Sequence, residues 1–109
     1  MPTQEQFTLR MIEGQTFSVK ASGDIDAPPW DMDNTTVTIT ETGDLLFAGT
    51  TFTFGTQTAV EGTTDRKTFR FQAIYMSLSL IFVELTFQTD GTLVGGTFGG
   101  AGEGTLEAK

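Results

Sequence analysis

The chain contains no cysteine and no histidine among its 109 residues. The absence of cysteine excludes disulfide bridges, thiolate zinc sites and cysteine nucleophiles. The absence of histidine removes the side chain best suited to acid–base catalysis near neutral pH. The remaining titratable groups are carboxylates, three lysines, three arginines and one tyrosine. We therefore expect neither enzymatic activity nor a cofactor.

Basic residues are scarce as well, since 6 lysines and arginines face 14 aspartates and glutamates, for a net charge of −8. Such a chain repels a phosphate backbone, so we expect no nucleic-acid partner. The longest apolar stretch, 74–85, contains Ser77, Ser79 and Glu84 and is too short to span a bilayer as a helix. The first residues carry no signal-peptide pattern, so we expect no membrane association and a cytoplasmic location by default.

What the chain does contain is a period-two alternation of apolar residues with Thr, Ser and Gly, which is typical of half-buried strands. This length suits one domain, so residues 1–109 are expected to form a single all-β unit. The predicted strands cover residues 5–12, 16–23, 35–41, 44–54, 66–75, 79–88, 92–98 and 103–107. We expect a small antiparallel meander barrel of about eight strands, with a two-sheet sandwich as the alternative.

The turn signals set the expected pairing of the first strands. A loop at 13–15 would pair strand 5–12 with strand 16–23 and place Met11 opposite Phe17. The turn at Thr42-Gly43 would begin a single strand over 44–54. Its inward residues are expected to be Leu46, Ala48, Phe52 and Phe54, with Phe47 on the other face.

The second half of the chain gives a clearer register. A turn centred on Ser77 keeps the odd-numbered residues of both flanking strands on one face. That register places Arg70 opposite Glu84 on the outer face, although Glu84 could instead point into the barrel. The Asp90-Gly91 hairpin signal predicts that Phe87 lies opposite Val94.

The spacing of the strands and their content of Gly and Thr resemble small closed barrels of the avidin and lipocalin type in architecture. The Gly-x-Trp of lipocalins has no counterpart near the start of this chain. The interior of an eight-stranded barrel is either filled by side chains or holds one small ligand. The candidate lining residues are Phe52, Phe54, Phe69, Phe71, Tyr75 and Phe98.

The segment 24–34 is the main irregular stretch with candidate binding groups. It contains four aspartates whose oxygen atoms suit calcium: Asp24, Asp26, Asp31 and Asp33. Their spacing does not match an EF-hand. The aspartates could instead solvate the loop while Trp30, the only tryptophan, covers a barrel end or acts as an exposed recognition residue.

The strand around residue 80 is apolar on both faces, unlike a strand that faces water on one side. Leu78, Leu80 and Phe82 are therefore expected to lie in a homo-oligomer interface, with a dimer as the first expectation. The predicted function is a non-catalytic barrel that binds a small apolar ligand in its interior. The alternative is an assembly module with a filled core, such as a self-associating or virion-surface protein. A third hypothesis is a calcium-dependent binding module.

Overall fold

The computed structural model describes residues 3–25, 35–47, 49–75, 79–100 and 102–109. In these residues, eight antiparallel strands form a closed barrel in which each strand pairs with the next and β8 pairs with β1. The strands are β1 (Thr16–Ile25), β2 (Thr35–Ile39), β3 (Leu45–Phe47), β4 (Thr50–Ala59), β5 (Arg66–Tyr75), β6 (Ser79–Gln88), β7 (Leu93–Gly99) and β8 (Gly102–Ala108). The all-β antiparallel barrel is confirmed, and the two-sheet sandwich is wrong.

The register of β5 and β6 is the one that the alternation predicted. Phe69 lies opposite Leu85 on the buried face, and Tyr75 lies opposite Ser79, as expected for a turn centred on residue 77. Arg70 lies opposite Glu84 on the outer face, where Nη1 donates a hydrogen bond to Oε1 at 2.7 Å. Since both side chains are partly exposed, this ion pair adds at most about 1 kcal/mol.

The predicted first strand, 5–12, is wrong. Residues Leu9–Ile12 form a 3₁₀ helix, and Met11 is exposed rather than paired with Phe17. The reason is topological: β1 already pairs with β2 on one side and with β8 on the other. A closed barrel has no free edge for a further strand, so this apolar segment is buried in another way.

The predicted strand 44–54 is also wrong, because the chain reverses inside it. Gly49 adopts a φ of 77°, a conformation that favours glycine, and β3 and β4 pair as neighbours around it. Leu45 and Phe47 therefore face the core, whereas Leu46 is 42% exposed. The predicted inward position of Phe52 is confirmed, and the prediction for Ala48 lies outside the described residues.

The β6–β7 hairpin forms at the predicted turn but with a different register at its start. An irregularity between Thr86 and Phe87 places Phe87 opposite Leu93 instead of Val94. Leu93 is consequently buried and Val94 is exposed. Beyond the bulge, the expected pairing returns, with Val83 opposite Phe98.

Candidate functional site

The two ends of the barrel differ because the N-terminal segment covers one of them. Since the strands alternate in direction, every second connection lies at the same end. The described connections at the covered end are 40–44, 60–65 and 89–92. We call residues 3–12 the plug, the end that they cover the plugged end, and the opposite end the distal end. Three plug residues belong to the core: Phe7, Leu9 and Ile12.

The plug is anchored to the β4–β5 connection by Gln4. Its side-chain Nε2 lies within 2.9–3.2 Å of four oxygen atoms: the carbonyls of Val60, Thr63 and Arg66 and the hydroxyl of Thr63. One amide group has only two N–H hydrogens, so these contacts are shared among the acceptors. The plug is therefore fixed across the chain to a connection about sixty residues away.

Lys67 holds the plug from inside the barrel. The residue is only 6% exposed, and its Nζ donates a hydrogen bond to the backbone oxygen of Phe7 at 2.8 Å. Lysine is rarely buried unless its ammonium group has a partner. Here the partner is a backbone carbonyl of the plug, which lies outside the strands of the sheet. Nothing in the sequence indicates this contact beyond a basic residue at the start of β5.

Aromatic rings fill the barrel next to the plug. The ring of Phe69 lies 5.7 Å from Phe7, 6.3 Å from Phe54 and 5.8 Å from Phe87, measured between centroids. Phe69 is fully buried, whereas Phe54 is partly buried at the edge of the cluster. The predicted lining residues Phe54 and Phe69 thus pack against protein side chains, and Phe54 also lies opposite Phe71 with centroids 5.7 Å apart.

The inward positions of β5 include one small residue beyond the aromatic ones. Following the inward positions of β5 away from the plug, Phe69 and Phe71 are succeeded by Ala73. Ala73 lies opposite the buried Ile81, yet it is itself only partly buried, in contrast to the fully buried Phe71. The ring of Phe98, which is nearly buried, occupies the space beside Gly104. Ala73 is therefore less buried than the inward residues that precede it along β5, although it packs against the core.

The predicted lining residues thus lie at successive levels of the interior. Phe69 lies nearest the plug, Phe54, Phe71 and Phe98 share the next level of the barrel, and Phe52 is fully buried against Phe47 with centroids 6.4 Å apart. Several predicted site residues lie outside the described residues: Asp26, Trp30, Asp31, Asp33, Leu78, and the side chains of Asp24 and Tyr75. In the part of the chain that is described, no group of three or more acidic side chains comes together as a metal site.

An apolar patch lies on the outer face of the β5–β6 hairpin. Ile74 and Leu80 lie opposite each other and are 63% and 51% exposed. Phe82, two residues along β6 from Leu80, is partly covered by its own barrel. The guanidinium carbon of Arg70 lies 4.1 Å from the centroid of the Phe82 ring, and the tip of that ring lies over Gly99. We call Ile74, Leu80 and Phe82 the hairpin patch.

The β6–β7 turn at the plugged end carries a group without a partner. Thr89 is 2% exposed, and its hydroxyl has no hydrogen-bond partner among the described residues. A buried hydroxyl left unpaired costs about 1–3 kcal/mol. In the same turn, the backbone N–H of Thr92 donates to Oδ1 of Asp90 at 2.9 Å. This hydrogen bond, followed by that from the Thr92 side chain, lowers the pKa of Asp90 below its usual range.

These positions offer binding chemistry of two kinds, apolar contact at the distal end and hydrogen bonding at the plugged end. No helix in the described residues is long and apolar enough to cross a bilayer. Comparison with known proteins found no matching family, no matching curated protein and no matching solved structure. The geometry of this barrel is therefore the basis for inferring its function.

Proposed function

We propose that this protein is a non-catalytic barrel that binds a small apolar ligand at the distal end of its interior. The observation that carries the proposal is the difference between the two ends. The plug and its aromatic neighbours fill one end, whereas Ala73 is partly exposed although it faces the core. An eight-stranded barrel has room for one small ligand when its side chains do not fill it completely.

Apolar side chains of described residues surround this position. Ile81 lies directly opposite Ala73, and Phe71 and Phe98 are the nearest predicted lining residues on the inward faces of β5 and β7. A ligand here would gain free energy from burial of apolar surface, about 25 cal/mol per Å². A neutral ligand fits better than an anion because the chain carries a net charge of −8.

The proposal predicts that Ala73→Leu weakens ligand binding at least tenfold while the barrel remains folded. The larger side chain would occupy the space in which the ligand contacts Ala73. Titration with N-phenyl-1-naphthylamine, a neutral fluorescent apolar probe, measures the affinity and the number of sites, which we expect to be one per chain. Ala59→Leu, an exposed alanine of β4 at the plugged end, is the matched control and should bind like the wild type.

Two results would contradict interior binding. One is a wild-type protein that leaves the probe fluorescence unchanged. The other is an Ala73→Leu variant that binds as tightly as the Ala59→Leu control, which would place the probe elsewhere on the surface. Far-UV circular dichroism of each variant checks that the barrel is intact in both cases.

A second candidate function is self-assembly through the hairpin patch, and the paired exposure of Ile74 and Leu80 favours it. Large exposed apolar side chains that adjoin one another are typical of interaction sites. A groove of about 440 Å³ lies beside the patch, with Phe82 as its apolar wall and Thr97, Gly99 and Glu103 among its lining. A projecting apolar pair next to a groove suits a two-fold arrangement, in which each copy inserts the pair into the groove of the other.

This candidate predicts that Leu80→Glu reduces self-association at least tenfold, because the new carboxylate would be desolvated in the contact. Leu46→Glu places the same charge on β3, where Leu46 is also exposed but has no part in the patch. Sedimentation equilibrium of both variants and the wild type measures the association constant. Association should tighten with moderate salt, which screens the repulsion between acidic chains. A wild type that stays monomeric at high concentration would remove this candidate.

A further inference from the structure

A second cavity lies at the plugged end, in the crevice between the plug and the β6–β7 turn. Its volume is about 380 Å³, and its lining includes Phe7, Met11, Gln15, Thr89, Asp90 and Thr92. Cavities of this size are typical of small-molecule sites in proteins. The crevice is separate from the distal end of the barrel, so the inference does not depend on the function proposed above.

One residue that lines this crevice, Thr89, has a buried hydroxyl with an unmet need for a hydrogen bond. Thr89 is held between two connections, because its backbone N–H donates to the carbonyl of Asp65 at 2.9 Å. Its hydroxyl has no partner among the described residues. Buried polar groups in folded proteins nearly always have a hydrogen-bond partner, so an exception calls for an explanation. A ligand hydroxyl can supply that partner, since a hydroxyl both donates and accepts, once the Thr89 side chain turns its buried oxygen toward the crevice.

The remaining lining suits a neutral, polyhydroxylated molecule. The Asp90 carboxylate accepts hydrogen bonds, and the Gln15 amide can both donate and accept them. Phe7 and Met11 supply apolar surface against the C–H groups of such a molecule. The negative charge of Asp90 and of the whole chain opposes an anion. Carbohydrates and cyclitols combine hydroxyl groups with C–H faces in the required way.

We propose that this crevice binds a small neutral polyhydroxylated molecule of monosaccharide size, with the Thr89 hydroxyl hydrogen-bonded to one of its hydroxyl groups. Binding is expected to be weak, on the order of 1 mM, because a small ligand gains limited free energy per atom. The site would also bridge the plug and the β6–β7 turn, so occupancy should raise the melting temperature of the protein.

The test is a titration of ¹⁵N-labelled protein, followed through the chemical shifts of its backbone amides, with D-glucose, D-galactose and myo-inositol in turn. Inorganic phosphate and cyclohexanol serve as anionic and apolar comparison compounds. We expect saturable shifts with at least one of the three polyols, largest at Gln15 and at residues 89–92. Phosphate and cyclohexanol should leave these amides unchanged at the same concentrations.

Thr89→Val removes the hydroxyl but keeps the shape of the side chain, because threonine and valine are nearly isosteric. This variant is expected to bind the polyol about tenfold more weakly while keeping the wild-type shifts elsewhere. Thr53→Val, at an exposed position of β4, is the matched control and should bind normally. Gln15→Ala provides a second variant at an exposed residue, where folding is not at risk, and it should also weaken binding.

The proposal is overturned if none of the three polyols shifts the amides of residues 89–92, since the hydroxyl of Thr89 then has no ligand of this class. It is equally overturned if both Thr89→Val and Gln15→Ala bind with wild-type affinity. A response to phosphate or cyclohexanol that exceeds the response to every polyol would assign the crevice to a different chemistry. Failure of the interior probe titration affects none of these outcomes.

Discussion

Replacing Phe69 with alanine is expected to lower the free energy of unfolding by about 3–5 kcal/mol, as found for large aromatic side chains removed from cores. Phe69 is fully buried and contacts the rings of Phe7, Phe54 and Phe87. Its loss would leave a cavity between the plug and the barrel wall. A domain of this size has a total stability of about 5–15 kcal/mol, so a large part of it would be lost.

Urea denaturation followed by circular dichroism measures this effect, with Phe82→Ala as the matched control. Phe82 is on the outer face of the barrel and is only partly covered by Arg70 and Gly99. Its truncation removes a partly exposed ring and a cation–π contact, so we expect a loss of about 1 kcal/mol. Equal losses for the two variants would mean that Phe69 does not occupy the centre of the core.

The sequence pattern predicts a strand where the structure has the plug, because these residues show the alternation that is typical of strands. Phe7, Leu9 and Met11 alternate with polar residues, and this period alone cannot distinguish a strand from a segment packed across a barrel end. Only Ile12, buried directly next to the exposed Met11, breaks the alternation. Tertiary structure decides the outcome, since β8 and β2 already occupy both edges of β1.

The register of β5 and β6 could be predicted because the odd-numbered residues of both strands are apolar and must share the inward face. A slip of one residue would expose the buried Phe69 and Phe71 and bury Arg70. The same register places Ile74 opposite Leu80. The exposed apolar pair on the outer face of this hairpin therefore follows from the same turn at residue 77.

The crevice at the plugged end could not be predicted from the sequence, for a different reason. Thr89 belongs to an ordinary hairpin turn, and its burial arises from contacts with the plug and with the β4–β5 connection. Gln4 and Lys67, which hold the plug, are separated from their partners by about sixty residues. No local pattern marks such pairs, because each depends on the closed barrel being formed first.

Gly104→Ala is expected to destabilise the protein by about 3 kcal/mol or more, through the strand pair that closes the barrel. A Cβ atom at Gly104 of β8 would overlap the backbone oxygen of Ser22 on β1 and the ring of Phe98. The ring could turn aside, but the backbone oxygen belongs to the β1–β8 ladder and could move only if the two strands separated. Forced overlap of this kind typically costs about 1–3 kcal/mol, and more where the backbone is involved.

Gly55→Ala is the matched control for this prediction. A Cβ at Gly55 would meet only the backbone oxygen of Arg70, at 3.3 Å, so the loss should stay within about 1 kcal/mol. Urea denaturation of both variants gives the comparison, and an unchanged dependence on urea concentration would show that the unfolded state is the same. If Gly104→Ala is as mild as Gly55→Ala, then β1 and β8 do not approach as closely as the structure shows. The closure of the barrel, on which both the plug and the distal site depend, would then have to be rejected.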